Sequence, residues 1–274
     1  MKILVPIDFS EASDNAALYA ANFAKMINAE IILFNIVHFV SVPMAQVPVA
    51  IEREVENGRV SIASERCSHL TEKLKSTDAD LQISSEVISG YPIQNVIEEY
   101  AVLNQIDLIV MGTSGACGMK KLLFGSNAVF VINKSSIPVI TVPIHSNFND
   151  IKKILYASDM LKIHSEIKQL IPFAQLFNAS IHILHIEPVN SKKDLNVDQL
   201  KNELVNNYGY NNIHFHLSHD NNIVKCINAN VKELKIDLLA MYTHELTFLD
   251  NLLGNSFCDE MAFQSVIPLL TLRK

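Results

Sequence analysis

The sequence is short of the features that mark several common classes of protein. Basic residues are a minority: 22 Lys and Arg against 29 Asp and Glu give a formal charge of −7. That balance argues against a general nucleic-acid binder, which carries a basic excess or stripe. Cysteine is sparse, with four residues at Cys67, Cys117, Cys226 and Cys258 and no CxxC pair. Neither a zinc ribbon nor a redox motif is indicated, and scattered thiols fit a reducing cytosol. No apolar run is long enough to span a bilayer. The opening MKILVPIDFS is broken by Pro6 and Asp8 and reads as a first strand rather than a secretory leader. Glycine is scarce too: there are eight in 274 residues, and four of them, Gly112, Gly115, Gly118 and Gly125, fall in GTSGACGMKKLLFGSNA (112–128). What is abundant is apolar. At 49% hydrophobic and 19% charged, the chain can bury sizeable cores and is not disordered.

The chain is written twice. KKILYASDM (152–160) echoes MKILVPIDF (1–9), and NASIHILHIEP (178–188) echoes NAEIILFNIVH (28–38). LKIDLLAMYTH (234–244) echoes NQIDLIVMGTS (104–114), and SVIPLLTL (265–272) echoes SIPVITVP (136–143). Repeats in the same order predict two copies of one domain, spanning 1–146 and 151–274 and joined near the polar HSNFND (145–150). Within the first copy, short apolar runs at 3–7, 30–37, 82–88, 107–112 and 138–143 predict strands. Helical spacing between them predicts a helix after Ser10, a long one through 53–76 and another over 93–105. Ser10 is suited to N-cap the first, with Glu11 and Asp14 in its first turn. FVSVPMAQVPVAI (39–51) reads as an extended loop, lying over a cleft, against a partner, or simply on the surface. Runs that are apolar throughout fit parallel strands buried on both faces. The expected fold class is therefore α/β, with two tandem doubly wound, Rossmann-like domains.

In such sheets ligands bind beyond the carboxyl ends of the strands, where strand order reverses. Two loops qualify in the first half, one holding Pro6, Asp8 and Ser10 and one beginning at Gly112. Glycines there admit positive φ and close backbone approach. Gly125-Ser126 then opens a helix whose free N–H groups suit an anion such as phosphate. The plain alternative for any one glycine is a capped tight turn. The stretch is not a Walker A motif, since no Gly-Lys-Ser/Thr follows, and it is not GxGxxG.

The spacing Gly112-x2-Gly115-x9-Gly125-Ser126 resembles the nucleotide-binding signature of universal stress proteins. ILVPIDFSEAS, SGYPIQNVIEEYA, DLIVMGTSG and SSIPVITVP resemble other landmarks of that family. The resemblance covers nearly all of the first half and, more weakly, the second. It implies a five-stranded parallel sheet of order 3-2-1-4-5 in each domain. It also implies an ATP site in the first domain only. Pro6, Asp8 and Ile36 would lie at the adenine, Met111 and Gly112 beneath the ribose and phosphates, and Gly115, Gly125, Ser126 and Asn127 at the phosphates. Lys120 and Lys121 either help neutralise the phosphates or are solvated charge. Asp8 has its own alternative as a turn-forming carboxylate. A bound triphosphate would usually carry Mg²⁺. The apolar last strands would be sheet edges needing cover. The family implies pairing through them, here as a pseudo-dimer of the two halves, with further homodimerisation left open.

The second half departs from this pattern. Tyr242 replaces Gly112, Glu245 replaces Gly115, Asn255 or Gly254 stands for Gly125, Asp220 replaces Gly90, and Leu161 replaces Ser10; Ser256 and Asp159 remain. Bulk and negative charge where phosphate would lie predict no ATP there. Seven of the ten histidines lie in this half: His164, His182, His185, His214, His216, His219 and His244. Asp159, His185, His219 and His244, with Glu187, are candidate metal donors at the strand ends. The alternative is that these histidines are half-buried fillers. His182 and His185, three apart on a strand, must face opposite ways and cannot chelate together.

The expected function is that of a cytoplasmic, ATP-binding regulatory module of the stress response. It would act on unidentified protein partners, without nucleic acid or membrane. The competing readings are a slow ATPase or self-phosphorylating enzyme, with Asp8, Ser114 or Ser126 contributing, and a scaffold that holds a metal or small ligand in its second domain.

Overall fold

A computed structural model describes residues 1–38, 49–113, 126–189, 196–242 and 267–273. The chain divides into two compact units, Met1–Phe148 and Asn149–Lys274. The first runs β1 (Lys2–Pro6), α1 (Glu11–Ile27), β2 (Glu30–His38), α2 (Val49–Lys75), β3 (Gln82–Gly90), α3 (Ile93–Leu103), β4 (Leu108–Gly112), α4 (Ser126–Lys134) and β5 (Val139–Val142). The second runs β6 (Lys153–Ser158), α5 (Ile163–Phe177), β7 (Ser180–Glu187), α6 (Val197–Tyr208), β8 (Ile213–His219), α7 (Ile223–Leu234), β9 (Leu238–Tyr242) and β10 (Leu269–Leu272). Strand order is β3-β2-β1-β4-β5 within the first unit and β8-β7-β6-β9-β10 within the second. The pairings inside each unit are parallel. Each unit is thus a doubly wound α/β sheet.

The centre of each sheet is where the apolar runs are longest. Ile3, Leu4 and Val5 of β1, and Leu108, Ile109 and Val110 of β4, are completely buried, as strands covered on both faces require. α1 lies close to them because much of its inner face is small: Ala16, Ala17, Ala20, Ala21 and Ala24 are buried, with Tyr19 and Phe23 as the large side chains among them. Ser10 caps this helix, its Oγ accepting from the Ser13 N–H at 3.2 Å. At the other end Asn28 takes the left-handed conformation, φ 51°, which asparagine tolerates better than most residues.

The repeat extends to the backbone. Among the described residues, non-glycine positive φ occurs at Phe9, Asn28 and Gln105, and at Met160, Asn178 and Lys235. These are the matching places of the two copies. The acid of each "IDL" also has the same task. Asp107 Oδ2 accepts the Lys2 N–H at 2.7 Å, and Asp237 Oδ2 accepts the Lys153 N–H at 2.9 Å. Each carboxylate satisfies a donor at the start of its unit's first strand, which the ladder alone would leave open.

Two segments differ from expectation. Helix α2 begins at Val49, inside the last residues of the predicted 39–51 loop; residues 39–48 lie outside the described residues. Much of the polar stretch 145–150 is tied to the first unit rather than strung out as a linker. Asn15 Nδ2 donates to Pro143 O and Ser146 O, both at 3.0 Å. Phe148 packs edge-on against Tyr19, with 5.1 Å between ring centroids.

Strand β4 passes α1 so closely that a Cβ at Gly112 would lie 2.7 Å from the carbonyl oxygen of Ala12. Backbone cannot yield there as a flexible side chain would. Gly112→Ala should therefore cost about 1–3 kcal/mol of stability, read as a lower urea midpoint with an unchanged slope; an unaltered midpoint would show that α1 moves aside freely.

Candidate functional site

In the first unit the order of strands reverses between β1 and β4, so the crevice for a ligand opens at their carboxyl ends. Pro6 closes β1 and is half-buried, opposite Phe34. Ile36, also half-buried, lies one strand away opposite Ile88. Met111 and Gly112 close β4. These four expected site residues come from neighbouring strand ends. Met111 has a buried side chain, so it can offer a ligand little beyond backbone. The bare backbone of Gly112 is already demanded by α1, a reason that no sequence motif expresses.

Asp8 is exposed and its Oδ1 accepts the Ser10 N–H at 3.0 Å, bracing a turn through Phe9, φ 61°. Asp159 repeats this: its Oδ1 accepts the Leu161 N–H at 2.8 Å across Met160, φ 68°. The turn is thus sufficient reason for an acid in both copies. Beside the Phe9 turn, the Arg66 guanidinium sits 4.0 Å from the centre of the Phe9 ring, a cation–π contact joining α2 to the loop. A cavity of about 280 Å³ lined by Phe9, Asp14, Arg66, His69, Leu70 and Lys73 opens there. None of the expected nucleotide residues lines it.

Asn35 was not singled out from the sequence. It is buried, and its Nδ2 donates to Ile7 O at 2.7 Å. It satisfies the first carbonyl after β1, where the sheet gives way to the loop. One polar residue inside an apolar strand was the available signal. Helix α4 begins at Ser126, with Asn127 exposed near its start. Gly115, Gly125, Lys120 and Lys121, and the side chain of Ser126, lie outside the described residues.

At the matching strand end the second unit carries a large side chain. Tyr242, in the place of Gly112, is buried; its hydroxyl donates to the Glu166 backbone carbonyl at 2.5 Å and its ring meets Tyr156 edge-on at 5.7 Å. The Tyr156 hydroxyl bonds Glu166 Oε2. Burial, first among the causes, pushes both phenols above their ordinary range, so both act as neutral donors. Glu245, Gly254, Asn255 and Ser256 lie outside the described residues.

The second-unit histidines form two groups on opposite faces of β7, as their spacing predicts. On one face, His182 Nδ1 and His216 Nε2 are hydrogen-bonded at 2.9 Å, His182 Nε2 meets Ser180 Oγ at 3.0 Å, and the His214 ring stacks on His182 at 4.9 Å. On the other, His185 stands in the place of Asn35 and makes the equivalent bond: Nδ1 donates to Ser158 O at 2.9 Å. Its Nε2 lies 3.5 Å from Glu187 Oε1, and His219 Nε2 lies 3.7 Å from Glu187 Oε2. Of the expected metal donors, the structure thus brings His185 and His219 to one carboxylate. Asp159 is committed to its turn, and His244 lies outside the described residues.

Comparison with known proteins gives one consistent result. The sequence model of the universal stress protein family matches residues 1–143. A universal stress protein of Methanocaldococcus jannaschii is 33% identical over 143 residues, 52% of this chain and 81% of that one. One from Mycobacterium tuberculosis is 25% identical over 205 residues, 72% of this chain and 66% of that one. The crystal structure of a universal stress protein from Archaeoglobus fulgidus shares the fold with a TM-score of 0.74 at 18% identity, covering 99% of this chain and 98% of that one. No helix among the described residues is long and apolar enough to cross a membrane.

The stacked histidines carry a prediction. His182 is pushed down to about 4, by burial first and then by His214, His216 and Lys153; His216 is lowered too, again chiefly by burial. A histidine in the unfolded chain titrates near 6.5. Between the two values the unfolded chain binds a proton that the folded chain refuses, so stability falls as pH drops from about 6.5 towards 4. The loss from His182 is on the order of 3 kcal/mol. Urea unfolding from neutral pH to about pH 4 should show this slope, and His182→Leu should flatten it; an equal slope in both proteins would place the acid sensitivity elsewhere.

Proposed function

Because this chain belongs to the universal stress protein family, we propose that it is an ATP-binding regulatory module with its nucleotide in the first unit only. The observation that carries the reading is the meeting of Pro6, Ile36, Met111 and Gly112 at the ends of adjacent strands where strand order reverses. That crevice suits a flat, partly apolar base bordered by an acid. Pro6 and Ile36 offer apolar surface, and the Asp8 carboxylate is an acceptor for the amino group of adenine. The sequence spacing of Gly115, Gly125, Ser126 and Asn127 supports phosphate binding at the start of α4. Free N–H groups and the positive end of the helix dipole favour an anion there. Mg²⁺ would accompany the phosphates and offset their charge. ATP occupancy would alter the loop and helix around the site and so change the surface offered to a protein partner.

Tyr242 supports the other half of the reading. A buried ring, held by hydrogen bond and aromatic contact, stands where the first unit has only a glycine. That side chain ties β9 to α5 and β6, so the second unit lacks the bare backbone that the first offers at this strand end. Glu245 would add like-charge repulsion against phosphate.

The test is nucleotide content and calorimetry on the full chain. Stripped protein should take up one ATP. Gly115→Glu should weaken that binding by at least about 100-fold, and Glu245→Gly should leave it unchanged. No uptake, or a second ATP per chain, would overturn the reading.

A further inference from the structure

Glu187 is one of two buried glutamates among the described residues of the second unit. It ends β7, it is 3% exposed, and no hydrogen bond reaches its Oε2. A buried carboxylate is normally satisfied by donors at 2.7–2.9 Å. Its neighbours here are two imidazole nitrogens at 3.5 and 3.7 Å, beyond hydrogen-bond length.

The protonation of His185 follows from its other nitrogen. Nδ1 faces the carbonyl oxygen of Ser158 at 2.9 Å, and a carbonyl only accepts, so Nδ1 carries the proton. In the neutral ring Nε2 is then a bare lone pair facing a carboxylate oxygen, an arrangement that repels unless a positive charge lies between them. The bond from the far nitrogen to a backbone carbonyl is also how metal-ligating histidines are oriented. Separations of 3.5 and 3.7 Å are close to those between neighbouring ligands of one ion with bonds near 2.1 Å.

We propose that His185 Nε2, the Glu187 carboxylate and His219 Nε2 form a binding site for a zinc-type divalent transition-metal ion at the carboxyl ends of β7 and β8. Two imidazoles and a carboxylate suit such an ion rather than Ca²⁺ or Mg²⁺. Among the described residues no three donors already meet around one point. His185 and Glu187 are fixed by burial and by the Ser158 bond. His219, whose side chain is 47% exposed, is the ligand that closes on the ion, and its exposure gives the ion a way in. The first unit has no such set: by strand register and repeat, Asn35, Val37 and Ser89 stand where His185, Glu187 and His219 stand here. The site is therefore particular to the second unit, and it does not depend on ATP in the first.

Cobalt(II) reports the site directly. Untagged full-length protein, stripped with a chelator and free of nucleotide, is titrated with Co²⁺ and followed by its visible d–d absorption, with Zn²⁺ as competitor. One Co²⁺ per chain, displaced by Zn²⁺, is the expected result. Glu187→Gln and His219→Ala should each weaken it by at least about 10-fold, while His214→Ala, in the other histidine group, should leave it intact. His219→Ala removes a half-exposed ring, so its fold is secure, and Zn²⁺ should raise the melting temperature of the parent protein but not of this variant. No Co²⁺ uptake by the parent protein, unchanged affinity in both variants, or loss in His214→Ala instead would overturn the assignment.

Discussion

The strand ends of both units share one constraint: each must satisfy one carbonyl where its first strand stops. A parallel sheet must stop pairing where its ligand crevice begins, and the backbone groups at that point need other partners. In the first unit Ile7 donates its N–H to Phe34 O, and Ile7 O takes the side chain of Asn35. In the second unit Ser158 O takes the ring of His185. Each bond crosses from the second strand to the end of the first. The first–second strand geometry is therefore held by a side chain at the edge of the crevice, and the loop beyond can turn through Phe9 or Met160 without loosening the sheet. An amide and an imidazole N–H are equivalent as donors to that carbonyl. They differ in what they leave on the other side: an imidazole presents a second nitrogen.

The larger features of the fold were legible because they are written in periodicity. Apolar runs of strand length, and an alanine face at helical spacing, leave few alternatives once the repeat is seen. The opposite faces of His182 and His185 followed from strand geometry alone, and the two histidine groups obey it. The start of α2 was missed because Pro48 and the valines before it suggest extended chain, while the tertiary packing that decides a helix start is not local. HSNFND looked like a linker because it is polar, yet its Ser146 carbonyl accepts from Asn15 and its Phe148 packs on Tyr19.

At the candidate sites the sequence was a guide to place more than to cause. Gly112 was read as room for a ligand, but the nearest obstacle to a side chain there is the backbone of α1. Asn35 went unnoticed because a lone asparagine in a strand carries no motif. Its meaning appears only when the second unit answers with His185 at the same place. The acids Asp8 and Asp159 looked like a surviving piece of binding machinery. Their identical turns show that a structural need is enough to keep both.

Burying a tyrosine has consequences for the residues around it, and the second unit displays them. Tyr242 is buried against α5 and Tyr156, and its hydroxyl needs a partner once it is dry. The Glu166 carbonyl supplies one, and the Glu166 carboxylate takes the hydroxyl of Tyr156. Such a network is tolerable only when its hydroxyls are satisfied, since each unpaired member would cost as much as a lost bond. Val5 and Gly112, the first-unit counterparts of Tyr156 and Tyr242, carry no side-chain hydroxyl to satisfy. The phenol–carboxylate cluster of the second unit thus draws together residues of β6, α5 and β9. The strand ends farther along the sheet were under no such constraint. There, Glu187 and His219 stand in the places of Val37 and Ser89, and the carboxylate lies between two imidazoles instead of within a hydrogen-bonded network. One unit thus places two buried carboxylates in different company, Glu166 beside two phenols and Glu187 between two imidazoles, and it is the imidazole pair that offers further nitrogen donors.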